Sequence, residues 1–197
     1  MTASADNIIK QTQSWISSVI IEFNFCPFAK REFERGSIYY KIASDLDSGI
    51  NQTQKNENTI LASALEDLIK ECYRLDSSSK IETSFLILPK NFSDYSLFLD
   101  LSYLAEELLT TENYEGIYQI ASFHPDYCFA DTAPDDAANF TNKAPYPMLH
   151  LLRESSMEQA LDNYSNPEQI PLRNIKKSRE LGIKKFQTIL TSCIKQN

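Results

Sequence analysis

The chain has 197 residues, a hydrophobic content of 42% and a net charge of −8 at neutral pH. This length and composition predict a single domain over residues 1–197, with enough apolar side chains for a core. The negative charge argues against partners that are held by bulk charge attraction, so we expect neither a nucleic-acid partner nor a membrane partner.

The charge is unevenly distributed, because the end of the chain is basic. Residues 172–197 contain seven basic residues and one acidic residue. We predict that residues 172–197 form a basic C-terminal helical segment that packs on the acidic remainder of the domain.

The cysteine spacing and the N-terminal residues are informative about the cellular compartment of the protein. The four cysteines show no paired or zinc-like spacing, and the first residues lack the basic start and apolar core of a signal peptide. No apolar run approaches the length of a membrane span. We therefore expect a soluble, cytoplasmic protein, and the sequence leaves the cofactor and the oligomeric state open.

Hydrophobic periodicity predicts the elements in chain order. An amphipathic helix is predicted over residues 7–24, and Pro27 and Gly36 mark a short second helix over residues 27–35. Apolar and alternating segments predict strands at residues 38–42, 84–88 and 117–123. Helical spacing predicts one helix before and one helix after the second strand, and residues 44–58 are polar enough for a mobile loop.

The order of these elements predicts an α/β fold with a small, mainly parallel sheet built from a βαβαβ core. The N-terminal helix and the C-terminal helices flank that core. A further short strand is predicted over residues 148–152, and an α+β fold is the alternative.

Residues 120–154 connect the third strand to the C-terminal helices. They contain both histidines, four of the eight prolines and no glycine. A connection of this length within a domain is usually functional or disordered, and its many aromatic residues argue against disorder. We therefore expect an ordered loop that builds a site.

His124 follows the third strand, where ligands bind in parallel sheets. Histidine titrates near neutral pH, so we predict that His124 acts as an acid or base and that Asp126 orients it. Arg153 is predicted to hold a carboxylate or phosphate group. Further predicted ligand-binding residues are Asn142, Lys143, His150, Tyr127 and Tyr146.

Two other chemistries use the same residue types. Cys26 precedes a predicted helix, whose N-terminus favours a thiolate, so Cys26 is a candidate nucleophile with His124 as its base. His124, Asp126 and His150, with Cys26 if the fold brings it near, could also bind zinc or iron, although their spacing is not diagnostic. The histidines could instead be structural.

Several blocks of the chain resemble a bacterial family known as domain of unknown function 1415. The matching blocks are Trp15 with residues 26–29, residues 123–129, residues 141–154 and residues 170–174. The resemblance implies that the family's hallmark positions are Cys26, His124, Asn142, His150 and Arg153, and it implies no particular activity. The family pattern has Arg-Ser where this chain has Lys143-Ala144, which keeps the positive charge but loses the planar guanidinium.

The sequence thus predicts a protein that binds a small anionic metabolite, with acid-base catalysis as a further possibility of the same site. The alternatives are a zinc or iron enzyme and a non-catalytic module that binds another protein. The residues alone do not decide whether the chain is an enzyme, a hydrolase or a transferase.

Overall fold

The computed structural model describes residues 4–44, 56–162 and 164–195. The chain forms two compact units, each built from separate segments. Unit 1 comprises Met1–Gly36, Phe123–Tyr146 and Glu158–Asn197, and unit 2 comprises Ser37–Ser122 and Pro147–Met157. The predicted loop at 44–58 falls largely on residues 45–55, which lie outside the described residues.

The elements agree closely with the predicted segments. The helices are α1 (Ala5–Trp15), α2 (Ala29–Arg35), α3 (Glu57–Ser77), α4 (Tyr95–Thr111), α5 (Glu154–Asp162), α6 (Ile170–Leu181) and α7 (Ile183–Ile194). The strands are β1 (Ile38–Ile42), β2 (Thr83–Ile87), β3 (Tyr118–Phe123) and β4 (Met148–Arg153). Short 3₁₀ helices occupy Ala137–Thr141 and Pro167–Gln169.

The sheet is mixed, with strand order β1-β2-β4-β3. β1 and β2 are parallel and are joined through α3, as predicted. β4, however, pairs antiparallel with β2 and lies between β2 and β3. The predicted mainly parallel βαβαβ core is therefore wrong, because hydrophobic periodicity identifies a strand but not its neighbours. A mixed α/β description holds, and α+β remains compatible with it.

The core of unit 2 lies between the sheet and two helices. The alternation of side chains along β2 and β4 directs Leu86, Leu149 and Leu151 to the same face, where all three are fully buried. α3 contributes Leu68 and α4 contributes Phe98 to this cluster. Each such side chain stabilises the fold by roughly 1.5–3 kcal/mol.

Two acidic residues on α3 are also buried, and both are paired. Glu71 accepts a hydrogen bond from Ser84 Oγ at 2.8 Å and forms an ion pair with Arg74, whose Nε lies 3.0 Å from the carboxylate. Asp67 accepts the backbone N–H of Ser44 at 2.6 Å, which holds its pKa below the ordinary value despite the opposing effect of burial. These partners offset the cost of burying charge.

Unit 1 is helical and has an aromatic core. The Phe186 ring of α7 packs on Phe23 at 5.5 Å, on Phe25 at 6.0 Å and on Phe140 at 5.0 Å between ring centroids. The residues after α1 form a π-helical segment, Ile16–Ile21, in which Glu22 N–H donates to Ser17 O. This wider turn keeps Ile16, Val19 and Ile20 buried although the helical repeat changes.

Among the described residues, no helix combines the length and the apolar character that a membrane crossing requires.

Candidate functional site

His124 is the first residue after β3, and hydrogen bonds of its main chain fix its position. Its N–H donates to Asn142 O at 3.2 Å, and its carbonyl accepts the N–H of Ala144 at 3.4 Å. This pair of bonds is the pattern of one rung of a parallel ladder, so His124 lies directly opposite Lys143. The fold of unit 1 thus brings together two residues that are distant in sequence.

The imidazole of His124 is fully buried, and its orientation is set by the residue two positions later. Nδ1 accepts the backbone N–H of Asp126 at 2.9 Å. A nitrogen that accepts has no proton, so the neutral ring carries its proton on Nε2. The main-chain N–H of Asp126 therefore helps to orient the ring, and a role for the Asp126 carboxylate stays a prediction.

Asn139 is the main organising residue of the loop, and the sequence prediction did not include it. Its buried Oδ1 accepts the Phe129 N–H at 3.0 Å and the Thr132 hydroxyl at 2.7 Å. Its Nδ2 donates to Ala133 O at 2.9 Å. Asn139 is an isolated amide in an otherwise apolar run, Ala-Ala-Asn-Phe, and that contrast was the available signal.

The main-chain carbonyl of Asn139 also fixes the predicted ligand-binding residues that follow it. It accepts the N–H of Asn142 at 3.1 Å and the N–H of Lys143 at 2.9 Å. The carbonyl of Lys143 accepts Trp15 Nε1–H at 3.1 Å. The backbone of Asn142 and Lys143 is therefore held from both sides while their side chains are half-buried.

The side chains around this turn are polar and aromatic. Lys143 Nζ lies 5.4 Å from the centroid of the Phe140 ring, within range of a cation–π interaction. The rings of Tyr127 and Phe129 pack edge to face at 5.0 Å. The Tyr146 hydroxyl donates to Gln11 Oε1, and burial raises the pKa of Tyr146.

Cys26 lies in the turn before α2, a helix of seven residues. The backbone N–H groups of Phe28 and Ala29 donate to its sulfur, which favours the thiolate, but burial has the larger effect and raises the pKa of the thiol. A nucleophilic cysteine requires a pKa shift in the opposite direction.

His150 belongs to unit 2, where it pairs with Thr83 and Phe85 on the adjacent strand β2. Its ring stacks on Phe85 at 3.8 Å between centroids, with 9° between the planes. Nε2 lies 2.5 Å from Thr83 Oγ1, whose own proton is donated to Leu151 O, so Nε2–H is the donor to Thr83. Burial lowers the pKa of His150 to about 3, and the ring is neutral at physiological pH.

Arg153, at the end of β4, also lies in unit 2 and caps the end of α3. Its Nη2 donates to Leu75 O at 2.5 Å, to Ile81 O at 3.2 Å and to Ser78 O at 3.3 Å. Nη1 donates to the hydroxyl of Tyr118 at 3.3 Å. The guanidinium thus adds a donor to Leu75 O, a carbonyl of the last turn of α3 that also accepts the N–H of Ser78, and it holds two carbonyls of the segment that follows the helix.

The predicted site residues therefore fall into two groups. The members in unit 1 are Cys26, His124, Asp126, Tyr127, Asn142, Lys143 and Tyr146, and those in unit 2 are His150 and Arg153. In the described parts of the chain, no group of three or more His, Cys, Asp or Glu side chains is arranged to hold a metal ion.

Comparison with known proteins gives one match. Searches of curated proteins and of solved structures find nothing similar. A family model described as "protein of unknown function (DUF1415)" matches residues 7–188, which covers the loop, β4 and nearly all of both units. The chain therefore belongs to the DUF1415 family.

Proposed function

We propose that the protein binds a small anionic metabolite, a carboxylate or a phosphate, at the turn formed by His124, Asn142 and Lys143. The single observation that carries the proposal is the pair of main-chain bonds that sets His124 opposite Lys143. Functional loops are typically held rigid by their supporting structure, as this turn is.

The charge distribution favours an anion at this turn over an anion in unit 2. Unit 1 carries twelve basic and twelve acidic residues, whereas unit 2 carries seven basic and fifteen acidic residues, so the net charge of −8 resides in unit 2. Lys143 is the one basic residue of the 123–146 segment. It therefore supplies the charge that an anion requires there.

In this proposal the half-buried side chains of Lys143 and Asn142 contact the anion, and the fully buried His124 is the acid-base group next to them. Because Nδ1 of His124 accepts from Asp126, any proton transfer by His124 runs through Nε2, and in the neutral ring Nε2 is a donor. Acid-base catalysis therefore remains a proposal in which His124 begins as the acid.

Two observations reduce the roles that the sequence predicted for other residues. Arg153 donates to three main-chain carbonyls, and the raised pKa of Cys26 disfavours a nucleophilic thiolate. The proposal therefore assigns the anion to Lys143. The metal alternative has no ligand cluster among the described residues to support it.

The interaction-module alternative is favoured by one surface feature. Leu99 and Tyr103, one turn apart on α4, are 49% and 64% exposed. Exposed apolar side chains of this kind occur at protein interfaces, but scattered ones are common on ordinary surfaces. They identify no particular partner, so ligand binding remains the better supported proposal.

The test measures the melting temperature of the protein with inorganic phosphate and with citrate. A ligand of the native state stabilises it by about 2.7 kcal/mol at 100 times its Kd. Lys143→Met should raise the Kd for the bound anion about tenfold, because a charge-assisted hydrogen bond is lost.

Lys184→Met is the matched control, since Lys184 is an exposed lysine of α7 in the same unit. It should leave the Kd within about twofold of the original value. The proposal fails if neither anion raises the melting temperature, or if both lysine variants weaken binding equally.

A further inference from the structure

Asn139 precedes Asn142 of the proposed anion site by three residues, and its hydrogen bonds connect two parts of the loop. Its side chain holds the backbone at Phe129 and Ala133, and its carbonyl holds the backbone at Asn142 and Lys143. Asn139 is fully buried, so it acts on the turn at Asn142 and Lys143 only through these hydrogen bonds.

We infer that Asn139 is the positioning residue of the anion site, an inference that rests on the proposed function. The Asn139 carbonyl accepts from both Asn142 and Lys143, so the location of this one carbonyl determines where the two N–H groups point. The side-chain bonds to Phe129, Thr132 and Ala133 hold that location, because a buried amide that left these partners would be unsatisfied.

A cap and an ion pair at the start of the same 3₁₀ helix add to this support. Asp136 Oδ1 accepts the N–H of Ala138 at 2.8 Å, and Asp136 Oδ2 pairs with Arg179 Nη2 of α6 at 2.8 Å. The 3₁₀ helix is therefore anchored at its beginning by Asp136 and along its length by Asn139. Its last residues lead directly into the site.

The test compares Asn139→Ala with Asn174→Ala. Asn174 is a buried asparagine of α6 in the same unit, and its Nδ2 donates to Phe25 O at 2.6 Å, an acceptor outside residues 120–154. Both variants remove a buried amide that is bonded to the main chain, so both should lower the stability of the fold. Only Asn139→Ala should affect the turn at Asn142 and Lys143.

Hydrogen exchange at the amides of Asn142 and Lys143 reports positioning without any ligand. We expect exchange at these two amides to accelerate at least tenfold in Asn139→Ala and to stay within about twofold in Asn174→Ala, when both are compared at equal global stability. Phosphate and citrate titrations should show a Kd raised about tenfold or more in Asn139→Ala alone.

The outcomes separate the two proposals. If neither anion binds the original protein, the proposed function fails, and the exchange measurement still decides whether Asn139 positions the turn. Equal acceleration in both asparagine variants, or none in Asn139→Ala, overturns the inference. If Asn139→Ala does not fold, Thr132→Val replaces it, since it removes the hydroxyl donor to Asn139 Oδ1 with little change in shape.

Discussion

At the scale of single residues, His150 shows how burial selects one protonation state. Its ring lies against Phe85, and its Nε2–H donates to Thr83, so a second proton on Nδ1 would place a charge in an apolar setting. The lowered pKa of His150 follows from this burial. The neutral ring also belongs to a row of stacked side chains that crosses three strands and consists of Tyr40, Phe85 and His150.

The pH dependence of stability should reveal this neutral histidine. The pKa is lower in the folded state, about 3, than the ordinary value of 6.5. The unfolded chain therefore takes up a proton first as the pH falls, and His150 lowers the free energy of unfolding by about 2 kcal/mol between pH 7 and pH 5.

Urea unfolding at pH 7 and pH 5 measures this effect, with His150→Gln as the comparison. The variant should be less stable at pH 7 and should lose about 2 kcal/mol less than the original protein on acidification. Identical pH dependence in the two proteins would contradict a neutral His150.

At the scale of elements, the end of α3 is held by a residue of the sheet. Arg153 follows the last apolar residues of β4, and it reaches carbonyls at and beyond the end of the helix. The sequence predicted an anion clamp because arginine forms bidentate bonds with carboxylates and phosphates. The same donors match a helix C-terminus, where several carbonyls lie close together and the helix dipole is negative.

Replacement of Arg153 distinguishes the two roles. Arg153→Met should lower the free energy of unfolding by about 2 kcal/mol or more, because the charge-assisted hydrogen bonds to the main-chain carbonyls are removed. Arg153→Lys should recover only part of the loss, since one ammonium cannot reproduce the planar guanidinium.

Urea unfolding and phosphate titration are the two measurements for these variants. If Arg153 caps α3, its replacement should lower the free energy of unfolding and leave the Kd for phosphate within about twofold of the original value. Arg153→Met with unchanged stability and lost phosphate binding would instead support the anion clamp that the sequence predicted.

At the scale of the whole molecule, neither unit is a continuous stretch of chain. The chain passes between the units at four points, after residues 36, 122, 146 and 157. In unit 2 the central strand β4 is supplied by the late segment Pro147–Met157, and it pairs with β2. Folding of the sheet therefore depends on parts of the chain that are far apart in sequence.

We predict that the fragment 37–122 does not fold, although it contains three of the four strands and both helices of the unit 2 core. Without β4, β2 loses its antiparallel partner, and the sheet order leaves β3 with no neighbour. The near-ultraviolet circular dichroism and the amide proton spectrum of the fragment should resemble those of an unfolded chain, with residues 1–197 as the control.

A well-dispersed spectrum from fragment 37–122 would show that this segment is autonomous. That result would also count against the prediction that residues 1–197 form a single domain.

The sequence by itself determined where most helices and strands lie. The apolar spacing of α3, the short apolar run of β2 and the isolated strand β4 are local patterns, and local patterns are sufficient to indicate an element. The blocks at residues 26–29, 123–129 and 141–154 also indicated the family correctly.

Only the tertiary structure decided which elements and residues are neighbours. Four features depend on hydrogen bonds between residues or segments that the sequence pattern does not pair. They are the insertion of β4 between β2 and β3, the cap that Arg153 provides for α3, the pairing of His150 with Thr83 and the central place of Asn139. The type of a side chain limits the bonds it can form, but the partner it meets is set by the path of the backbone, because a buried polar group must be satisfied by whatever the fold places beside it.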